Sequence, residues 1–109
     1  MAEKSELLPG TLDMLILRVL SRGELHGWGI TNRLEQLSQS ALQVDEGSLY
    51  PALYRMEDKG WIEAEWRVTE NNRRAKYYTL TRAGRKQLEK EQELWERMSA
   101  IITNVMQTA

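Results

Sequence analysis

The apolar residues of this chain change their spacing at Gly60, and that change limits the folds open to it. Ahead of Gly60 they recur at the helical period, which commits one face of each segment to a core. Leu12, Leu15, Ile16, Val19 and Leu20 keep i, i+3, i+4, i+7, i+8 spacing. This predicts a first helix from a cap at Thr11 to about Arg22, stopped by Gly23. Ile30, Leu34 and Leu37 anchor a second helix from about Gly27 to Gln36 or Ser38. Gly27 and Gly29 weaken its start, and their value there is a permissive turn or close approach to a neighbour. The stretch Asp45 to Gly60 then carries Leu49, Ala52, Leu53 and Met56 as a third stripe, with Asp45 or Ser48 as cap and Gly60 as stop. Pro51 is best tolerated in a first turn, which places the regular start near Gly47 or Ser48.

After Gly60 the period falls to two. WIEAEWRV places Trp61, Glu63, Glu65 and Arg67 on one side and Ile62, Ala64, Trp66 and Val68 on the other. Thr69 to Arg73 is a polar turn in which Asn71 and Asn72 accept left-handed backbone angles, and AKYYTL returns as the second strand of a hairpin. Between the second and third helices, Ser40 to Val44 leaves room for a small strand. Thr81 caps a last long helix reaching about Met106. The fold class is therefore mainly α with a small β-hairpin: a winged helix-turn-helix plus a long C-terminal dimerisation helix. Residues 1–9 read as a flexible N-terminal arm, 10–80 as a DNA-binding domain and 81–109 as the dimerisation helix.

The last helix carries Leu88, Trp95, Met98, Ile102 and Val105 on a narrow seam, with Leu94 and Ile101 beside it. Glu91 and Gln92 interrupt the seam near its start, so an unbroken coiled coil is not indicated. Its second half is too apolar to stand in water. A second copy of the chain would cover it through Leu94, Trp95, Met98, Ile101, Ile102 and Val105; folding back on its own domain is the alternative. A homodimer also suits a palindromic DNA site with half-sites about 34 Å apart or a multiple of that.

The outer face of the third helix departs from an ordinary surface. In place of Lys and Glu it presents Gly47, Tyr50, Pro51, Tyr54 and Arg55, groups suited to base edges and phosphates. The net charge is only −1, but its distribution is uneven: Trp66 to Lys86 holds seven Lys/Arg against Glu70 alone. A phosphate backbone responds to such a local footprint rather than to the total. Arg73, Arg74 and Lys76 fall on the hairpin tip and return strand, where they suit phosphate contacts. Arg55 can pair with guanine or clamp phosphate, and Tyr50 and Tyr54 can pack on thymine methyls or bond to phosphate.

Other chemistries find little support. The absence of cysteine removes disulfides, thiolate nucleophiles and thiolate-bound metals. His26, the only histidine, cannot build a multi-histidine metal site and reads as a helix-entry or buried hydrogen-bonding residue. With no glycine-rich phosphate loop either, no enzyme, metal or cofactor is expected. Apolar runs too short for a bilayer and the lack of a signal-peptide pattern lead us to expect a soluble, cytoplasmic protein with no membrane partner.

The segments GTLDMLILRVLSRGELHGWGI, EGSLYPALYRMEDKGWIEAEW and NRRAKYYTLTRAG together resemble the PadR family of bacterial transcriptional regulators, from about Leu8 to Gly84. Length and the single C-terminal helix resemble its short subfamily. The resemblance implies a homodimeric winged-helix protein, usually a repressor, that binds palindromic double-stranded DNA. It implies Ser48, Tyr50, Pro51, Tyr54 and Arg55 at the major groove and Arg73, Arg74 and Lys76 on the wing. Many members carry a glycine at the wing tip, where this chain has NNRR. Some members sense planar aromatic or multidrug-like effectors in a slot flanked by a tryptophan of each C-terminal helix. Trp95, beside Leu88, Met98 and Ile102, matches that place and either lines such a slot or only fills the dimer interface. A winged helix that binds protein instead of an operator is the other functional class open to this fold.

Overall fold

The computed structural model describes residues 10–109; the arm expected over residues 1–9 lies outside them. The elements follow in the order α1 (Thr11–Leu20), β1 (Leu25–His26), α2 (Gly27–Leu37), α3 (Glu46–Asp58), β2 (Ile62–Val68), β3 (Arg74–Leu80) and α4 (Arg82–Thr108). The winged helix-turn-helix and the long last helix are both present. The three-stranded sheet is antiparallel in the order β1-β3-β2. In the hairpin Ile62 faces Leu80, Ala64 faces Tyr78, Trp66 faces Lys76 and Val68 faces Arg74.

The stripe read on α3 is part of the core. Leu49, Ala52, Leu53 and Met56 are all buried, against Ile16, Leu17, Val19 and Leu20 of α1, Ile30 and Leu34 of α2, and Ile62, Tyr78 and Leu80 of the sheet. Three side chains cap helices as local chemistry demands. Asp45 accepts from the Ser48 amide at 2.8 Å, His26 Nδ1 from the Gly29 amide at 2.9 Å, and the Thr81 hydroxyl from the Gly84 amide at 3.0 Å. His26 is thus the helix-entry residue its isolation suggested. Thr81 also donates to the Gly60 carbonyl at 2.6 Å, tying the end of β3 to the turn after α3. There the backbone of α4 meets the chain so closely that a Cβ at Gly84 would run into the Trp61 carbonyl.

Several expectations need correction. The small strand is not in 40–44 but at Leu25–His26, where it pairs with β3 through Leu25–Tyr78 and His26–Tyr77; β3 would otherwise leave a row of unpaired backbone groups along that edge. Leu37, expected as a core anchor, is 60% exposed, because α2 ends there and the turn leads the chain away from the core. α1 begins after Gly10, in the left-handed region at φ 87°, and not after a Thr11 cap. α3 begins at Glu46, earlier than Pro51 suggested, because the Asp45 cap satisfies its first turn. Pro51 therefore sits inside the helix, on its exposed side, where water can take the carbonyl its missing N–H leaves free.

Candidate nucleic-acid interface

The exposed face of α3 and the inner face of the hairpin look at each other across a cleft of about 570 Å³. From α3 come Tyr50 and Tyr54; from the hairpin come Trp66, Arg73, Arg74 and Lys76; and the first turn of α2 adds Gly27 and Trp28. Ser48 and Pro51 are exposed on α3 but do not line the cleft. Tyr50 leans on α2, so closely that a Cβ at Gly27 would stand 2.6 Å from its hydroxyl. That is the close approach the glycine was expected to permit. Tyr54 is 68% exposed and free to meet a ligand. Tyr78 forms the floor, and burial, with the Glu57 carboxylate next, pushes its phenol up to about 12, so it stays neutral.

The wing holds its shape without a glycine. Asn72 takes φ 58°, the Thr69 amide donates to the Arg73 carbonyl at 2.7 Å, and the Asn72 amide donates to the Thr69 carbonyl at 2.9 Å. Asparagine tolerates the left-handed region because its short amide bonds locally. At the base, Arg67 is bound to Glu24 and Glu65. Its bond to Glu24, the larger influence, holds its pKa above the ordinary arginine value, so Arg67 braces the hairpin and is not a free cation.

The cations expected at the interface fall into three kinds. Arg73 and Arg74 are exposed and, among the described residues, enter no ion pair; the Arg74 guanidinium lies 5.3 Å from the Trp66 ring centre. Lys76 pairs with Glu57 of α3 at 3.1 Å and lies 5.5 Å from the Tyr54 ring centre. It spans wing and helix, and part of its charge is already balanced. Arg55 turns away from the cleft and donates from Nη2 to Asp13 Oδ1 of α1 at 2.6 Å. That hydrogen bond is the main reason its pKa is raised. Asp13 is a buried carboxylate, so Arg55 has a structural partner in place, while its side chain is 49% exposed.

Among the cleft residues that the reading of the chain did not assign to the site are two exposed indoles, Trp28 and Trp66, 72% and 58% exposed. A signal existed for each. Trp28 stands two positions before Ile30, off the apolar stripe of α2, and Trp66 lies beyond the point where the strand leaves the core.

Beyond Leu88, α4 runs on past the core, with one side along the start of α1. Leu94, Trp95, Met98, Ile101, Ile102, Val105 and Met106 are all exposed along it. A second hollow, of about 320 Å³, lies between α4 and the start of α1 and is lined by Met14, Glu91, Leu94, Trp95, Met98 and Ile102. Leu88, expected beside Trp95 in a ligand slot, is instead part of the core one helical turn before Glu91 begins the lining. Glu91 has one carboxylate oxygen, Oε2, buried without a hydrogen-bond partner among the described residues. Burial, with the nearby Asp13 charge adding, raises its pKa above the ordinary carboxyl value. Among the described residues no cluster of His, Cys, Asp or Glu could hold a metal, and no helix is long and apolar enough to cross a membrane.

Comparison with known proteins agrees with this architecture. Residues 16–90 match the model of the transcriptional regulator PadR-like family. A PadR-like transcriptional regulator from Bacillus cereus superposes with a TM-score of 0.80 at 31% identity, over 96% of this chain and 100% of that one. The transcriptional regulator Rv3488 of Mycobacterium tuberculosis is 33% identical over 84 residues, 77% of this chain and 75% of the relative. The negative transcriptional regulator PadR of Bacillus subtilis is 30% identical over 77 residues, 71% of this chain but 42% of that longer protein. The family match over residues 16–90, on a fold superposed along nearly the whole chain, makes this chain a member of the PadR-like family of DNA-binding transcriptional regulators, which are not enzymes.

Proposed function

We propose that the protein is a cytoplasmic homodimeric repressor that binds a palindromic operator, inserting α3 in the major groove and laying the wing on the flanking backbone. The observation that carries the reading is the convergence of Tyr50 and Tyr54 with the unpaired Arg73 and Arg74 on one cleft. Ser48 and Pro51 extend the α3 surface toward the groove. Lys76 can reach phosphate from its place beside Glu57. Arg55 positions α3 through Asp13 and is not the base reader. The repressor sense is supported by the name of the Bacillus subtilis relative, a negative regulator.

Dimerisation runs through α4, where Leu94, Trp95, Met98, Ile101, Ile102 and Val105 otherwise face water. An exposed apolar helix of this length is stable when two copies cover each other. The hollow beside Trp95 suits a planar aromatic effector, because methionine and indole pack well on flat rings. Filling it at the dimer seam would alter how the two recognition helices are spaced.

Binding of the purified protein to DNA from upstream of its own gene, across a salt series with random duplex as control, tests the reading. Tight binding at two chains per site, preferring the upstream DNA and weakening steeply with salt, is the expected result. Weak binding without preference would favour a protein-binding winged helix. Arg74→Ala should weaken binding to all sequences, whereas Tyr50→Ala should also erode preference for the operator.

A further inference from the structure

We propose that Trp28 and Trp66 clamp the sugar-phosphate backbone of the DNA strand that passes between α3 and the wing, so that part of the protein's hold on DNA is apolar and indifferent to sequence. This rests on the DNA-binding reading above and adds a part of the grip that the basic residues do not supply.

Both indoles line the cleft, from opposite elements, and both are held on one side and open on the other. Trp28 is braced by the His26 imidazole, 6.1 Å away between ring centres, and His26 is fixed by its bond to the Gly29 amide and by the edge of Tyr77 at 5.3 Å. Trp66 is covered by the Arg74 guanidinium. Neither contributes to the core, and large apolar side chains left this open are costly to a soluble surface unless something covers them.

The chemistry of the cleft selects the occupant. Its walls carry the cationic Arg73, Arg74 and Lys76 and the phenols of Tyr50 and Tyr54 beside the two indoles. That mixture matches a polymer with regularly alternating anionic and apolar parts. In duplex DNA the bases stay paired and stacked, so what can enter between a helix in the groove and a wing beside it is the backbone. Phosphates then meet the arginines, while the deoxyribose, the apolar part of the chain, meets the indoles. The positive end of α2, at Gly27 and Trp28, adds a favourable dipole on the same side.

The two contributions separate by their response to salt. A phosphate contact releases counterions and steepens the dependence of log K on log salt, whereas an indole on a sugar does not. The experiment measures affinity of Trp28→Ala, Trp66→Ala and Arg74→Ala for the upstream fragment and for random duplex at several salt concentrations. Each tryptophan variant is expected to bind both DNAs about tenfold more weakly with the wild-type slope, a loss equivalent to about 1.4 kcal/mol. Arg74→Ala should lower the slope by about 1.8, that is about 0.9 for each chain of the dimer. Trp28→Phe and Trp66→Phe should recover most of the affinity, since a flat apolar ring is retained. Unchanged affinity in both alanine variants would overturn the clamp. So would a loss in Trp66→Ala that comes with the Arg74→Ala slope, because the indole would then act only by placing the guanidinium. Wild-type protein that binds neither DNA would instead remove the regulator reading itself, and the clamp with it.

Discussion

Replacing Arg55 should damage the fold more than replacing its partner Asp13, although both changes delete the same ion pair. The two ends differ in solvent access: the Arg55 side chain is 49% exposed and that of Asp13 11%. Asp13→Ala leaves a guanidinium that water can reach, so the loss is close to that of a part-exposed pair, about 1 kcal/mol. It also removes a negative charge that disfavours ionised Glu91. Arg55→Ala leaves a carboxylate buried at the α1–α3 contact without its donor, and the cost rises to about 2–3 kcal/mol. The double variant should cost less than the sum of the two, because the stranded carboxylate is gone. Urea unfolding of the four proteins at one fixed chain concentration measures these differences, the fixed concentration being required because the proposed dimer would couple stability to concentration. If Asp13→Ala proves as costly as Arg55→Ala, or the effects simply add, the pair is not the bridge described. If Arg55→Ala leaves stability untouched and abolishes preference for the operator, Arg55 is a base reader after all.

Three further outcomes follow from local geometry. Gly84→Ala drives a methyl into the Trp61 carbonyl and to 2.6 Å from Leu80 Cδ1, so it should cost about 3 kcal/mol or prevent folding, as thermal unfolding would reveal. Gly27→Ala meets only the mobile end of Tyr50, so stability should fall by less than about 1 kcal/mol while DNA binding weakens as the phenol is pushed aside; equal damage to both would refute it. Glu91 has a raised pKa in the folded state, so the folded chain holds that proton more tightly than the unfolded one. Its contribution is therefore favourable at low pH and is lost as pH rises from the ordinary value of 4.5 through the folded value. Glu91→Gln should raise the melting temperature at pH 7 and flatten that fall, and a melting profile that keeps the wild-type pH slope would contradict the assignment.

Helix α3 and the hairpin were legible because their information is local. The α3 stripe needs only residues three or four apart to share a face, and all four of its members are buried. The hairpin needs only alternation and a turn, and Asn72 supplies the left-handed residue where a glycine might have stood. Caps at Asp45, His26 and Thr81 each act on an amide three residues away, which sequence spacing alone can specify. The concentration of basic residues in the wing could likewise be counted along the chain, and it led to Arg73 and Arg74.

What the chain order could not decide is which distant groups meet. Arg55 and Asp13 are 42 positions apart, Lys76 and Glu57 are 19 apart, and only the packing of α1 on α3 and of the wing on α3 brings them together. Those pairings separate free cations from engaged ones, a distinction that composition cannot make because paired and unpaired arginines look alike in sequence. Helical spacing put Leu37 on a buried stripe and Leu88 beside Trp95 on the seam of α4, but periodicity says which side of a helix is apolar, not where along its length a neighbour covers it. The same limit hid the cleft: Trp28 and Trp66 are apolar residues whose covering elements end short of them, so that only the assembled fold leaves both indoles facing one gap.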